Sequence, residues 1–177
     1  PALHTGLEWS QRRLQVYGLA CKGENCTSAW SEQAHRAYFA WSLHPRWALN
    51  VGWLYDAIRL KQLDDFSIPV AVVTQQVPVN LNYFAAPQWK LGLEWRGVKQ
   101  TVDNRTQATT TQTRSRFAVV NMALRYAPAP QPWSVALELN NIFDKNLRFQ
   151  NTSLNDEPRI PLFQSGRSVF VRASLKL

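Results

Sequence analysis

Apolar side chains alternate with small, polar or charged ones over most of this chain, and this two-residue period constrains its fold more than any other feature. In the last segment, one row of alternate positions contains Val169, Val171, Ala173, Leu175 and Leu177. The positions between them are Phe170, Arg172, Ser174 and Lys176. Residues two apart share a face in a β-strand, so the pattern predicts an all-β protein built of amphipathic strands.

Eight such strands are predicted, at about residues 6–19, 29–43, 46–60, 73–84, 88–101, 115–127, 132–143 and 166–177. Three connections, at 43–46, 84–88 and 127–132, are short and contain proline. The others, near 20–28, 61–72, 102–114 and 144–165, are longer and mostly polar. Short turns at one end and long loops at the other are typical of an antiparallel up-and-down transmembrane β-barrel whose short turns face the periplasm.

Six aromatic residues lie at the strand ends beside the short turns, each on the apolar face of its strand: Trp41, Trp47, Tyr83, Trp89, Tyr126 and Trp133. If the strands fold as hairpins about these turns, the six side chains lie at one level, close to the turn end of the sheet. Trp and Tyr favour the membrane interface because the ring and its polar N–H or O–H each meet a suitable medium. These six are therefore predicted to form one aromatic girdle, and Tyr55, Trp95, Tyr17 and Trp30 are candidates for the opposite one.

Composition limits the other classes of protein. Although 45% of the residues are apolar, no run approaches the roughly 20 apolar residues that a membrane helix needs. The net charge of +8 is scattered along the chain without a Lys/Arg block, which gives little support to nucleic-acid binding. Basic surfaces could attract anionic ligands or lipopolysaccharide, and the alternative is that the charge only forms a solvated face.

Two segments in about the last 45 residues carry a family resemblance. Asn140-Asn141-Ile142-Phe143-Asp144-Lys145 is similar to the N-L-F-D-K element that precedes the last extracellular loop of TonB-dependent outer-membrane receptors. Gly166-Arg167-Ser168, followed by alternating apolar residues, resembles the closing strand of these receptors. One departure is the final residue, Leu177, because such receptors usually end on an aromatic residue.

The resemblance implies a bacterial outer-membrane importer of a scarce nutrient, such as a ferric siderophore, driven by the inner-membrane TonB complex. It also implies a 22-strand barrel with an amino-terminal plug, and no plug is visible in this sequence. At roughly 22 residues per strand, such a barrel takes on the order of 490 residues. Residues 1–177 are therefore expected to be a single barrel segment, the carboxyl-terminal part of the larger barrel.

Two alternatives remain open. Eight strands suffice to close a small outer-membrane barrel with a structural or adhesion role, which would require the first strand to pair with the last. A soluble ligand-binding barrel would show the same alternation with its apolar rows inside. The first strand alternates poorly around Arg12 and Arg13, so a bulge or an edge position is expected there.

Few residues indicate chemistry. Cys21 and Cys26 are predicted to form a disulfide that closes a small loop, as an even cysteine count in an exported protein suggests. The three histidines, at positions 4, 35 and 44, have no neighbouring nucleophile or carboxylate at a spacing that suggests a catalytic triad, and a structural role is expected. Neither an enzymatic activity nor a cofactor is predicted.

Two connections have a distinctive composition. The segment Thr101–Arg114 is rich in threonine and is predicted to be a polar, mobile loop. The segment 61–72 contains Phe66, Ile68, Pro69 and Val70, which are expected to pack over the barrel mouth or touch a ligand. The segment 144–165, with Arg148, Phe149, Arg159 and Phe163, is a second candidate for such a contact.

Overall fold

The computed structural model describes residues 2–17, 27–60, 68–105, 109–145 and 166–175. Their strands are β1 (Leu3–Tyr17), β2 (Thr27–His44), β3 (Trp47–Leu60), β4 (Ile68–Ala86), β5 (Trp89–Arg105), β6 (Thr110–Tyr126), β7 (Trp133–Asn140) and β8 (Ser168–Leu175). All eight form one sheet in which each strand pairs antiparallel with the next in sequence. The prediction of eight antiparallel up-and-down strands is confirmed.

No helix among the described residues is long and apolar enough to cross a membrane.

The three short, proline-containing connections are confirmed as the turns at one end of the sheet. Residues 45–46 join β2 to β3, 87–88 join β4 to β5, and 127–132 join β6 to β7. In the first turn, Arg46 N donates a hydrogen bond of 3.3 Å to His44 Nδ1. In the last, the Ala129–Pro130 peptide bond is cis.

At the opposite end, β4, β5 and β6 are longer than predicted, and two expectations are wrong. The threonine-rich segment is mostly strand, since β5 continues to Arg105, β6 begins at Thr110, and the two pair to their ends. The apolar part of segment 61–72 does not form a loop either, because β4 begins at Ile68. Phe66 and residues 146–165 lie outside the described residues, as do Cys21 and Cys26.

The first strand is an edge without a bulge. Its 15 residues pair with β2 in unbroken register from Leu3 with Trp41 to Tyr17 with Thr27. Within the described residues, β1 pairs with β2 alone and β8 with β7 alone, so the sheet has two edges. Each edge leaves a row of backbone N–H and C=O groups available for further pairing.

The sheet has two faces of different polarity, and the strand register shows which side chains share each face. The apolar face is defined by rows such as Leu49, Leu81, Leu93 and Met122, which are successive partners across β3 to β6. The polar face is defined by the adjacent row Asn50, Asn80, Glu94 and Asn121. Because partners across a ladder point to the same side, each row continues on one face over several strands.

The apolar face is the more exposed of the two. Large side chains on it, including Trp53, Leu93, Trp95 and Leu137, are exposed. Four buried valines lie on the polar face: Val98 and Val119 at the middle of their strands, and Val72 and Val102 nearer the end away from the short turns. No second layer of described structure covers this sheet. The side chains on the polar face are therefore buried by one another, which indicates that the sheet curls towards that face.

Candidate functional site

The polar face carries a hydrogen-bonded cluster at the middle of β5 and β6. Glu94 Oε1 accepts hydrogen bonds from Arg96 Nε, at 3.1 Å, and from Arg96 Nη2. Glu94 Oε2 accepts a bond of 3.0 Å from Asn121 Nδ2. The two guanidinium donors on one oxygen and the amide donor on the other together satisfy the carboxylate. A charged group on a sheet face is stable when it is partnered in this way and still partly hydrated.

Asn121 also connects this cluster to the turn that follows β7. Its Oδ1 accepts a hydrogen bond of 2.9 Å from the backbone N–H of Asn141. The next residue in the turn, Ile142, donates its N–H to the carbonyl of Val120 at 3.0 Å. The polypeptide after β7 is therefore held against β6 by one side-chain and one backbone contact.

Asn141 closes the turn itself. This residue is 3% exposed and adopts a positive φ of 49°, a conformation that asparagine tolerates better than most residues. Its side-chain Oδ1 accepts from Lys145 N at 3.0 Å, and its Nδ2 donates to Lys145 O at 2.9 Å. The single side chain thus fixes both backbone polar groups of a residue four positions later.

Asp144 joins the turn to the beginning of β8. It has a φ of 51°, and its N–H donates to the carbonyl of Asn141 at 2.8 Å. Its Oδ1 accepts a hydrogen bond of 2.8 Å from Arg167 N. A Cβ added at Gly166 would lie 3.1 Å from the same carboxylate oxygen, which leaves little room for any larger residue there.

The structure thus brings four of the six predicted motif residues together: Asn141, Asp144, Gly166 and Arg167. Asn140 is the last residue of β7 and pairs with Ser168, so it lies at the same junction. Phe143 is different, since it is 67% exposed. The part played by Glu94, Arg96 and Asn121 was missed by the sequence analysis, because their contact depends on the register of β5 with β6.

Removal of the Asn121 side chain tests the link between the cluster and the turn. We expect Asn121→Ala to lower the free energy of unfolding by about 1–2 kcal/mol, because it leaves Oε2 of Glu94 and the N–H of Asn141 each without the partner that Asn121 provides. Denaturant unfolding of the intact protein in detergent would measure the loss. Asn80→Ala is the matched control, since Asn80 is an amide of the same row on β4, two strands away from Asn121. An equal loss of stability in that variant would contradict the link.

The six aromatic residues at the short turns form a staggered series on the apolar face. Ring centroids lie 4.4 Å apart for Trp47 and Tyr83 and 4.5 Å apart for Trp89 and Tyr126. Trp133 follows Tyr126 at 5.8 Å, whereas Trp41 contacts Phe39 at 6.2 Å. Tyr83 pairs with Leu91 across the ladder, so the series steps along the strands from one hairpin to the next.

A second aromatic series crosses the same face further from the turns. The ring of His35 lies between Trp9, at 6.2 Å and nearly parallel, and Tyr55, at 5.4 Å. Trp53 continues the series at 6.1 Å from Tyr55. Of the four candidates for an opposite girdle, Tyr55 belongs to this series and Trp95 lies on the same face. The structure does not describe the side chains of Tyr17 and Trp30.

In the part of the chain that the structure describes, no group of three or more His, Cys, Asp or Glu side chains could hold a metal ion. No protein-family model matches the chain, and searches of curated proteins and of solved structures also return no match. The candidate functional regions are therefore defined by the geometry alone: a polar cluster tied to the turn after β7, and an apolar face bordered by aromatic side chains.

Proposed function

We propose that this chain is the carboxyl-terminal, eight-strand part of the barrel of a TonB-dependent receptor in a bacterial outer membrane. In this proposal, the receptor imports a scarce nutrient such as a ferric siderophore. The observation that carries it is the exposed apolar face with an aromatic series at each border. Trp47 and Tyr55 on β3 are eight residues apart, about 26 Å along the strand at roughly 3.3 Å per residue.

The dimensions of this face suit a membrane. A strand tilted by about 40° would span about 20 Å of bilayer over that distance, close to the roughly 25 Å apolar band of outer-membrane barrels. The two faces also differ in the way that a barrel wall requires: the exposed apolar side chains would face lipid, and the hydrogen-bonded network around Glu94 would face the lumen. The soluble-barrel alternative requires the opposite arrangement, with the apolar rows enclosed.

The two edges of the sheet favour a larger barrel over a small closed one. β1 presents Leu7 and Trp9 and β8 presents Val171, all strongly exposed apolar side chains at an edge. A closed eight-strand barrel would pair these edges with each other, whereas the described residues leave both open. In a 22-strand barrel, strands from the rest of the polypeptide would pair with both.

The first test is the intact mass and amino-terminal sequence of the native polypeptide extracted from membranes. The proposal expects extraction to require detergent and the chain to be several times longer than 177 residues. A native chain of 20.3 kDa that requires detergent would instead support the small closed barrel. The same mass without any need for detergent would support the soluble barrel.

Transport is tested separately, with cells grown under iron limitation and a panel of radiolabelled ferric chelates. Uptake of at least one chelate should depend on the receptor, on an intact TonB complex and on the proton-motive force. Receptor-dependent uptake that persists after the proton-motive force is collapsed would contradict the active-import mechanism while leaving the barrel assignment intact.

A further inference from the structure

The apolar face contains a depression of about 850 Å³ over β3 to β6. Among its lining residues are Trp53, Val77, Trp95, Lys99, Arg114 and Arg116. It lies where the apolar rows give way to charged ones, at the border away from the short turns. One cavity thus combines aromatic walls with a group of basic side chains.

Small residues form the floor of the depression. Gly97 pairs with Val77 on one side and with Ala118 on the other, so a row of short side chains crosses three strands. The ring of Trp95 occupies the space beside Gly97, because a Cβ added there would lie 2.7 Å from the far edge of the indole. The indole therefore lies along the sheet over Gly97, with the short side chains of Val77 and Ala118 on either side of it.

Three cationic side chains border this floor. Lys99 lies directly opposite Arg116 in the ladder, and Arg114 is two residues further along β6, opposite Thr101. Like charges placed opposite each other destabilise a sheet. The two ion pairs between described residues, Arg96 with Glu94 and Arg172 with Glu138, involve none of these three cations. Arg114 does bond to a neutral group, donating from Nε to Gln112 Oε1 at 2.8 Å.

We propose that the depression binds one lipid of the surrounding membrane that bears a phosphate and a net negative charge, an inference that rests on the membrane setting proposed above. The lipid phosphate contacts Lys99, Arg114 and Arg116, and an acyl chain lies against the indole rings of Trp53 and Trp95, over Val77 and Ala118. Guanidinium and ammonium groups bind phosphate strongly through charge-assisted hydrogen bonds.

The combination of features selects this class of ligand over two others. A free anion would use the cations but would gain nothing from the aromatic walls. A zwitterionic or neutral lipid would contact the aromatic walls but would bring no net negative charge to the three cations. An anionic amphiphile satisfies both parts of the site, and anionic lipid surfaces attract basic side chains next to a membrane-spanning segment.

The test is native mass spectrometry of the intact protein in a neutral detergent, titrated with phosphatidic acid and with phosphatidylcholine of the same acyl chains. We expect one phosphatidic acid molecule to bind roughly 100-fold more tightly than phosphatidylcholine, from three basic contacts. The variant Lys99→Gln/Arg114→Gln/Arg116→Gln should lose this preference. The control Arg36→Gln/Lys90→Gln/Arg125→Gln removes the same charge from the polar face and should retain it.

Three outcomes would overturn the proposal. The two lipids could bind equally, the charge-removed variant could keep the preference, or inorganic phosphate could displace the lipid at an equal concentration, which would identify a phosphate site without a lipid requirement. A failure here is distinguishable from a failure of the proposed function. The lipid test can fail in a protein whose detergent requirement and mass support a receptor barrel. A 20.3 kDa chain that needs no detergent would instead contradict the membrane setting on which both proposals rest.

Discussion

Replacement of Leu93 by arginine is expected to lower the free energy of unfolding in a lipid bilayer by about 2–4 kcal/mol. Leu93 lies on the apolar face of β5, where it is 43% exposed and pairs with Leu81 and Met122. In the proposed barrel it faces lipid near the middle of the apolar band, so the introduced charge has no water nearby. Guanidinium-induced unfolding of the intact protein in lipid vesicles, followed by tryptophan fluorescence, would measure the change.

Ala123→Arg is the matched control for Leu93→Arg. Ala123 is adjacent in sequence to Met122, the partner of Leu93, but it lies on the polar face, so the same charge enters the hydrated side of the sheet. We expect a loss below about 1 kcal/mol there, as for substitutions that face a barrel lumen. If the apolar face met water, Leu93→Arg would change stability by no more than about 0.5 kcal/mol, which is the outcome that contradicts a lipid-facing position.

The alternating pattern predicted the strands well wherever one face is apolar and the other is not. On β5 and β6 it failed where both faces become polar, because the hydrophobic signal ends there while the ladder of backbone hydrogen bonds continues. Asp103 and Gln112 illustrate this, since they pair across β5 and β6 and their side chains also bond at 2.8 Å. In the sequence they are only two polar residues in a threonine-rich stretch.

The candidate sites depend on register, which alternation leaves open. The resemblance identified Asn141 and Asp144, but it did not reveal that Asn121, 20 residues earlier, bonds to the same turn. Similarly, Lys99 and Arg116 are unremarkable in sequence and become a site only because the ladder places them opposite each other. A pairing shifted by one residue would send one of the two to the other face.

Replacement of Asn141 by alanine is expected to lower the free energy of unfolding by about 2–4 kcal/mol. The variant loses both hydrogen bonds to Lys145, at roughly 1 kcal/mol each. It also places an alanine at a φ of 49°, in the left-handed region that costs an ordinary residue roughly 1–2 kcal/mol. The same guanidinium unfolding measurement applies. The strand β8 should be affected most, because the turn holds Asp144 in contact with its amino-terminal side.

Two further variants separate the backbone contribution from the hydrogen bonds. Asn141→Gly also loses both side-chain bonds but adopts a positive φ without a steric penalty, so we expect it to be more stable than Asn141→Ala by about 1 kcal/mol. Asn141→Asp keeps an acceptor for Lys145 N but no longer donates to Lys145 O, and its loss should be smaller than that of Asn141→Ala. If all three variants matched the wild-type protein, the turn after β7 would not be a source of stability. The role of the motif residues would then be a contact with a part of the polypeptide outside the described sheet.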